Sequence, residues 1–400
     1  MKFKNKGRKI YKTKEKNYYG KSPVGKAFSV GLTVLLIGGI GFIGYSVAEP
    51  LINYSKKKGD NSSLTQVTTE NENATDENGL PIEEDTTNPS AVVVNTEKYR
   101  AYSLNTVDIA DAQSIKAALK RVPSDQNIEY IEVPLKVSGG NIYYATNNYY
   151  ANSSGIIQSY TKLSDIVSAI SSEGYKPVAT ISTFYDNIVP NYFRDMSYLT
   201  VEDGSQWIDN DIEAGGKPWM TPFSKSAVNY NNDIVEEVAE AGFDKIVCYD
   251  FVFPNFRQSD IEYLGENVVS SDRYMALTSA ANTMYETIMS KGSSMMIEVN
   301  ASDLLQGKND ILQPMMLNVN TIILNIDLDL LNYGIYTDET VYEFTGTPAE
   351  NVKKMLDLVS EDVEEFNVAV RVSGATLSTQ DLLESMDEIV EYGYDSFVLG

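Results

Sequence analysis

The chain has 400 residues, 42% of them hydrophobic, and a formal net charge of −24. A body this acidic repels phosphate backbones and argues against nucleic acid as a partner. With no histidine and a single cysteine, Cys248, it has no means for Ser-His-Asp or Cys-His catalysis, for histidine-bound zinc or haem, or for an internal disulfide.

Charge is unevenly spread. Residues 1–27 form a basic tail, with ten Lys and Arg against Glu15 in the first 26. Residues 28–48, FSVGLTVLLIGGIGFIGYSVA, carry no charge. About 20 apolar residues span a bilayer core, so this run predicts a transmembrane helix. Basic residues before it and a mostly acidic remainder place the tail in the cytoplasm and the body outside. A cleaved signal peptide is the alternative, but the run is longer than a typical signal core. Residues 49–96 are rich in Ser, Thr, Asn, Asp and Glu, and read as a disordered acidic linker.

From residue 97 the pattern alternates. Strands are predicted at 97–103, 128–137, 176–184, 243–251, 294–300, 321–327, 367–374 and 395–400. Helices are predicted at 111–121, 161–173, 226–242, 271–291, 347–364 and 378–393. Gly174, Gly242 and Gly292 serve as helix stops, and Ser378 as an N-cap with Asp381 in the first turn. Eight short apolar strands separated by helices predict a parallel sheet, and eight units over about 300 residues suit a (β/α)8 TIM barrel spanning 97–400. An open doubly wound sheet is the alternative, but no Gly-rich phosphate loop follows the first strand. The eighth strand is not followed by the usual last helix, so either the barrel is shortened or residues 90–96 cover that gap.

Barrel active sites lie where strands end, and alternate residues share a face. The fourth strand puts Ile246, Cys248 and Asp250 on one face, and the fifth Met296, Glu298 and Asn300. The sixth groups Ile323, Asn325 and Asp327, and the seventh Ala369, Arg371 and Ser373. Each set turns polar toward its C-terminal end, bringing Asp250, Glu298, Asp327 and Arg371 to one rim. Such a rim is either a closing ring of ion pairs, Arg371 with Asp327 or Glu298, or a carboxylate pair for acid–base work. Cys248 reads as core. The tyrosine-rich run 142–150 with Trp207 and Trp219 either lines a saccharide cleft or packs ordinarily.

The stretch WMTPFSKSAVNYNNDIVEEVAEAGFDKIVCYDFVFP (219–254) resembles the "putative glycoside hydrolase domain" of bacterial surface proteins, a TIM-barrel family. Trp219, Pro222, Gly242, Phe243, Asp244, Ile246, Asp250, Phe253 and Pro254 match its pattern; upstream, Phe184, Asp186 and Lys136 match. Val252 stands where the family has Arg, and Pro134, Val137 and Ser138 stand at acidic positions. LNIDLDLL replaces the sixth-strand Pro-Met-x-Tyr-Pro, and the terminal Trp is missing. The resemblance implies Asp250 as the catalytic carboxylate. Glu298, from strand geometry, is the expected acid. Asp186, Trp219, Tyr249, Asn300, Asp327 and Arg371 are the expected sugar contacts. The expectation is a surface-displayed hydrolase of cell-wall or environmental polysaccharide, peptidoglycan glycan included, with no cofactor and no resident metal. A catalytically degenerate glycan-binding barrel is the alternative, and a tethered scaffold in envelope assembly the third.

Overall fold

The computed structural model describes residues 98–400, apart from 269, 309–310, 313–315, 338 and 376. The basic tail, the apolar run at 28–48 and the linker therefore lie outside the described residues. Among the described residues, no helix is long and apolar enough to cross a membrane.

Eight strands close into a barrel. They are β1 (Arg100–Ser103), β2 (Tyr130–Lys136), β3 (Lys176–Ser182), β4 (Lys245–Tyr249), β5 (Ser294–Asn300), β6 (Thr321–Asp327), β7 (Asn367–Ser373) and β8 (Phe397–Leu399). All neighbours are parallel, and β8 returns to β1 with Val398 opposite Ala101. Closure leaves no strand edge exposed. Between them run α1 (Ala112–Leu119), α2 (Leu163–Ser171), α3 (Lys225–Glu240), α4 (Ser270–Ser290), α5 (Pro348–Val359) and α6 (Thr379–Tyr392). Among the described residues, the short helix Ala301–Leu305 is the one helix between β5 and β6. A small antiparallel pair, Ile335–Tyr336 with Val341–Tyr342, decorates the segment after β6.

The helices form where apolar residues recur at helical spacing. In α3, Tyr230, Ile234, Val238 and Ala239 are buried together with Ala227 and Val235, an apolar stripe that must pack inward. Ser224 caps it by accepting from the Ala227 N–H, and Gly242, at φ +93°, turns the chain out, a conformation costly for a residue with a Cβ. In α6, Ser378 and Asp381 cap reciprocally, 3.1 Å from the Asp381 N–H to the Ser378 hydroxyl and 2.9 Å back.

Strand alternation splits the core in two. One layer, between sheet and helices, holds Ile131, Val133, Ile181, Ile246, Cys248, Ile297 and Leu324. The other fills the barrel interior with Ala101, Tyr130, Val178, Val247, Met296, Ile323, Ala369 and Val398. The expected register holds in β5 and β7 but fails in β4. There Val247 points inward, and Ile246 and Cys248 face the helices. Cys248 is fully buried, and burial pushes its thiol up to about 12, as expected of a packing residue.

Candidate active site

Above the apolar floor the barrel interior turns charged. Arg371 on β7 donates from Nη2 to Glu132 on β2 (2.6 Å) and from Nε to Glu298 on β5 (3.0 Å). Tyr99 donates to the other Glu132 oxygen at 2.8 Å. Glu132 is completely buried. Burial acts against the Arg371 charge, but the two glutamates together outweigh it and raise the guanidinium further. Of the two anticipated ion pairs, Arg371 thus takes Glu298 rather than Asp327.

Asp250 reaches this rim by an unusual route. It follows β4, and its φ is +59°, the left-handed region that a non-glycine residue enters at a cost of about 1–2 kcal/mol. That twist re-aims a side chain whose strand parity would send it toward the helices. Ser138 and Ser182 both donate to Oδ2, each at 2.6 Å. Burial raises the carboxyl, while the two hydroxyls and Lys136 lower it and Asp303 adds to the rise. Such a backbone outlier at a half-buried acid is typical of functional sites.

Asp250, Glu298 and Asp303 line one small deep cavity with Tyr249, Val252 and Asn300. It opens to a cleft of about 520 Å³ lined by Ser138, Tyr185, Trp219, Asp250, Asn300, Asp303 and Lys308. Burial raises the Glu298 carboxyl, which Arg371 lowers and Glu132 and Asp250 raise. Burial also raises Asp303, against a 3.3 Å hydrogen bond from Asn300 and the charge of Lys308. The site thus holds three carboxylates pushed toward their neutral forms, a pattern suited to acid–base chemistry. No group of three or more Asp, Glu, Cys or His side chains among the described residues could hold a metal.

Trp219 lies flat on Tyr185, centroids 4.4 Å apart and planes 3° apart, and donates from Nε1 to Asp209 at 2.8 Å. Tyr249 lines the deep cavity and donates to the Lys136 carbonyl at 3.3 Å. Asn300 accepts from Asn325 at 3.1 Å.

Two expectations need correction, Asp186 and Asp327, and for Trp207 and the 142–150 run the packing alternative holds. Asp186 is fully buried, 3.3 Å from Lys136 Nζ. Its Oδ1 accepts the Ile188 and Val189 N–H groups, so it secures the loop after β3 and no sugar can reach it. Asp327 ends β6 by accepting from the Asp329 and Leu330 N–H groups and lines neither cavity. Trp207 and the 142–150 run pack: Trp207 sits against Tyr198 and Phe256, and buried Tyr144 reaches Glu237. Only Trp219 of these aromatics faces the cleft.

Sequence reasoning missed Glu132, Asp303, Ser138, Ser182 and Tyr185. Asp303 was within reach. It lies three residues beyond Asn300 on a single helical turn, where a strand-parity argument no longer applies.

A family model described as "Putative glycosyl hydrolase domain" matches residues 103–328. Among solved structures, the PgaB (BpsB) glycoside hydrolase domain of Bordetella bronchiseptica aligns at 10% identity and a TM-score of 0.51, over 76% of this chain and 93% of that one. A hypothetical protein of Ruminiclostridium thermocellum aligns at 18% identity and 0.40, over 49% and 96%. A GH20 exo-β-N-acetylglucosaminidase of Vibrio harveyi aligns at 11% and 0.44, over 69% of this chain and 41% of that one. No curated protein matches.

Proposed function

Because the chain belongs to the putative glycosyl hydrolase domain family, we propose that its barrel hydrolyses O-glycosyl bonds of a cell-wall or environmental polysaccharide. The observation that carries this is the trio Asp250, Glu298 and Asp303 around one cavity beneath an aromatic platform. Glycoside hydrolysis needs two carboxyl groups in different protonation states, one to protonate the leaving oxygen and one to act as nucleophile or base. Asp250 suits the second role, since two hydroxyls orient it through one oxygen. The acid is Asp303 or Glu298; both are raised by burial. Trp219 and Tyr185 offer faces on which a sugar ring stacks.

The test is a polysaccharide hydrolysis screen comparing the wild type with Asp250→Asn, Glu298→Gln and Asp303→Asn. Loss of one acid–base group lowers turnover by about 10²–10⁴-fold. Asp250→Asn as active as the wild type removes Asp250 from the mechanism.

One observation favours a second reading, a barrel that binds glycan without cleaving it. Glu298 is clamped by Arg371, and Val252 lines the cavity where the resembling family carries Arg. Glycan binding by a wild type that cleaves nothing selects this reading.

We also propose that residues 28–48 anchor the protein in the membrane with the barrel outside. The uncharged run behind a basic tail supports it. Protease added to intact cells then removes the barrel; full protection overturns the topology.

A further inference from the structure

We infer that the saccharide site continues past the Trp219–Tyr185 pair into a second basin that takes further units of the same chain, so that the ligand is a polymer bound along its length. This rests on the saccharide reading above. A basin of about 390 Å³ also borders the pair. It shares Tyr185, Trp219, Pro254 and Asn255 with the catalytic cleft. Each space falls within the roughly 300–1,000 Å³ of ordinary ligand sites. The two spaces thus adjoin along the stacked aromatic pair, and Asp250 lines the first of them but not the second.

The basin is built rather than accidental. Asp209 fixes the ridge through the Trp219 indole, and its other oxygen takes the Lys217 N–H at 2.8 Å. The Asp209 N–H donates to the Lys217 carbonyl at 3.0 Å. Asn187, itself buried, donates to the Pro218 carbonyl at 2.8 Å. Gly216 sits so close to the Asn210 carbonyl that no Cβ fits. The segment 209–219 is therefore pinned as a floor.

Its lining sets the ligand chemistry. Asn210, Asn255, Asp209 and Lys217 supply donors and acceptors of both kinds beside an aromatic face. That combination fits a hydroxyl-rich ring, and fits an apolar ligand or a dense polyanion poorly. A site that extends past the space Asp250 lines admits internal bonds of a chain.

The test measures binding of two-unit and six-unit β-1,4-linked glucose and N-acetylglucosamine oligosaccharides to the full chain in detergent, by calorimetry. The six-unit ligand of one series binds at least about tenfold tighter than its two-unit member, a difference of about 1.4 kcal/mol. Ala214→Trp and Ala214→Arg, which fill the basin from one exposed position, remove that advantage and leave two-unit binding unchanged. Equal binding of short and long ligands by the wild type overturns the basin while the saccharide reading stands. Equal weakening of both lengths by the two variants, with melting temperatures preserved, overturns it too. Binding of neither series at any length overturns the saccharide reading, and the basin falls with it.

Discussion

At the scale of single residues, the barrel's charged interior has the sharpest energetics. Arg371 holds the buried Glu132 and the half-buried Glu298, and removing it leaves both uncompensated. Arg371→Met should cost about 3–5 kcal/mol in a urea titration. Adding Glu132→Leu should recover much of that, and additive losses would refute the coupling. Asp250 is predicted to behave in the opposite way. Its folded pKa is raised, so the stability it contributes is complete below the unfolded value of about 3.9 and lost as pH rises through the folded value. Asp250→Asn should therefore melt higher than the wild type at neutral pH, with the gap closing in acid. A gap that widens on acidification contradicts this. Ser182→Ala removes a hydroxyl that lowers the same pKa, so the acidic limb of the pH–rate profile should move to higher pH. Asp250 was legible because polar residues gather where strands end. Its geometry was not, since a left-handed backbone breaks the parity on which the argument relied.

Elements were legible where chemistry is local. Ser378, Gly174, Gly242 and Gly292 mark helix ends through caps and positive φ, and the structure has these turns where expected. Thr347 and Glu350 form a second capping box, at the start of α5. Thr347→Ala and Ser378→Ala should each cost about 1 kcal/mol, read from a denaturant midpoint at unchanged slope. What was not legible is tertiary. Short helices such as Ala301–Leu305 have too few residues for a period to show. The aromatic run at 142–150 reads alike whether it lines a cleft or packs on α3. Gly140 is a further example: at φ +109° it faces the Asp186 carboxylate with no space for a Cβ. Gly140→Ala should destabilise by more than the roughly 1 kcal/mol of an ordinary backbone mismatch, whereas Gly155→Ala, with nothing near its Cβ, tests the φ cost alone.

For the molecule as a whole, the net charge of −24 means that like charges crowd the folded state. Salt screens such repulsion over about 10 Å at 0.1 M, so the melting temperature should rise between low and moderate ionic strength. A fall would show that favourable ion pairs dominate instead. The barrel itself was legible from the repeat of strand and helix; its closure needed the pairing of β8 with β1. That closure also bears on how the protein is made. Glu132 and Arg371 are 239 positions apart, and Ala101 waits for Val398. A chain emerging from the ribosome thus carries two acids destined for its centre before their counter-ion is synthesised. Contacts this remote slow folding, so the nascent half-barrel is the species on which chaperones and proteases have longest to act.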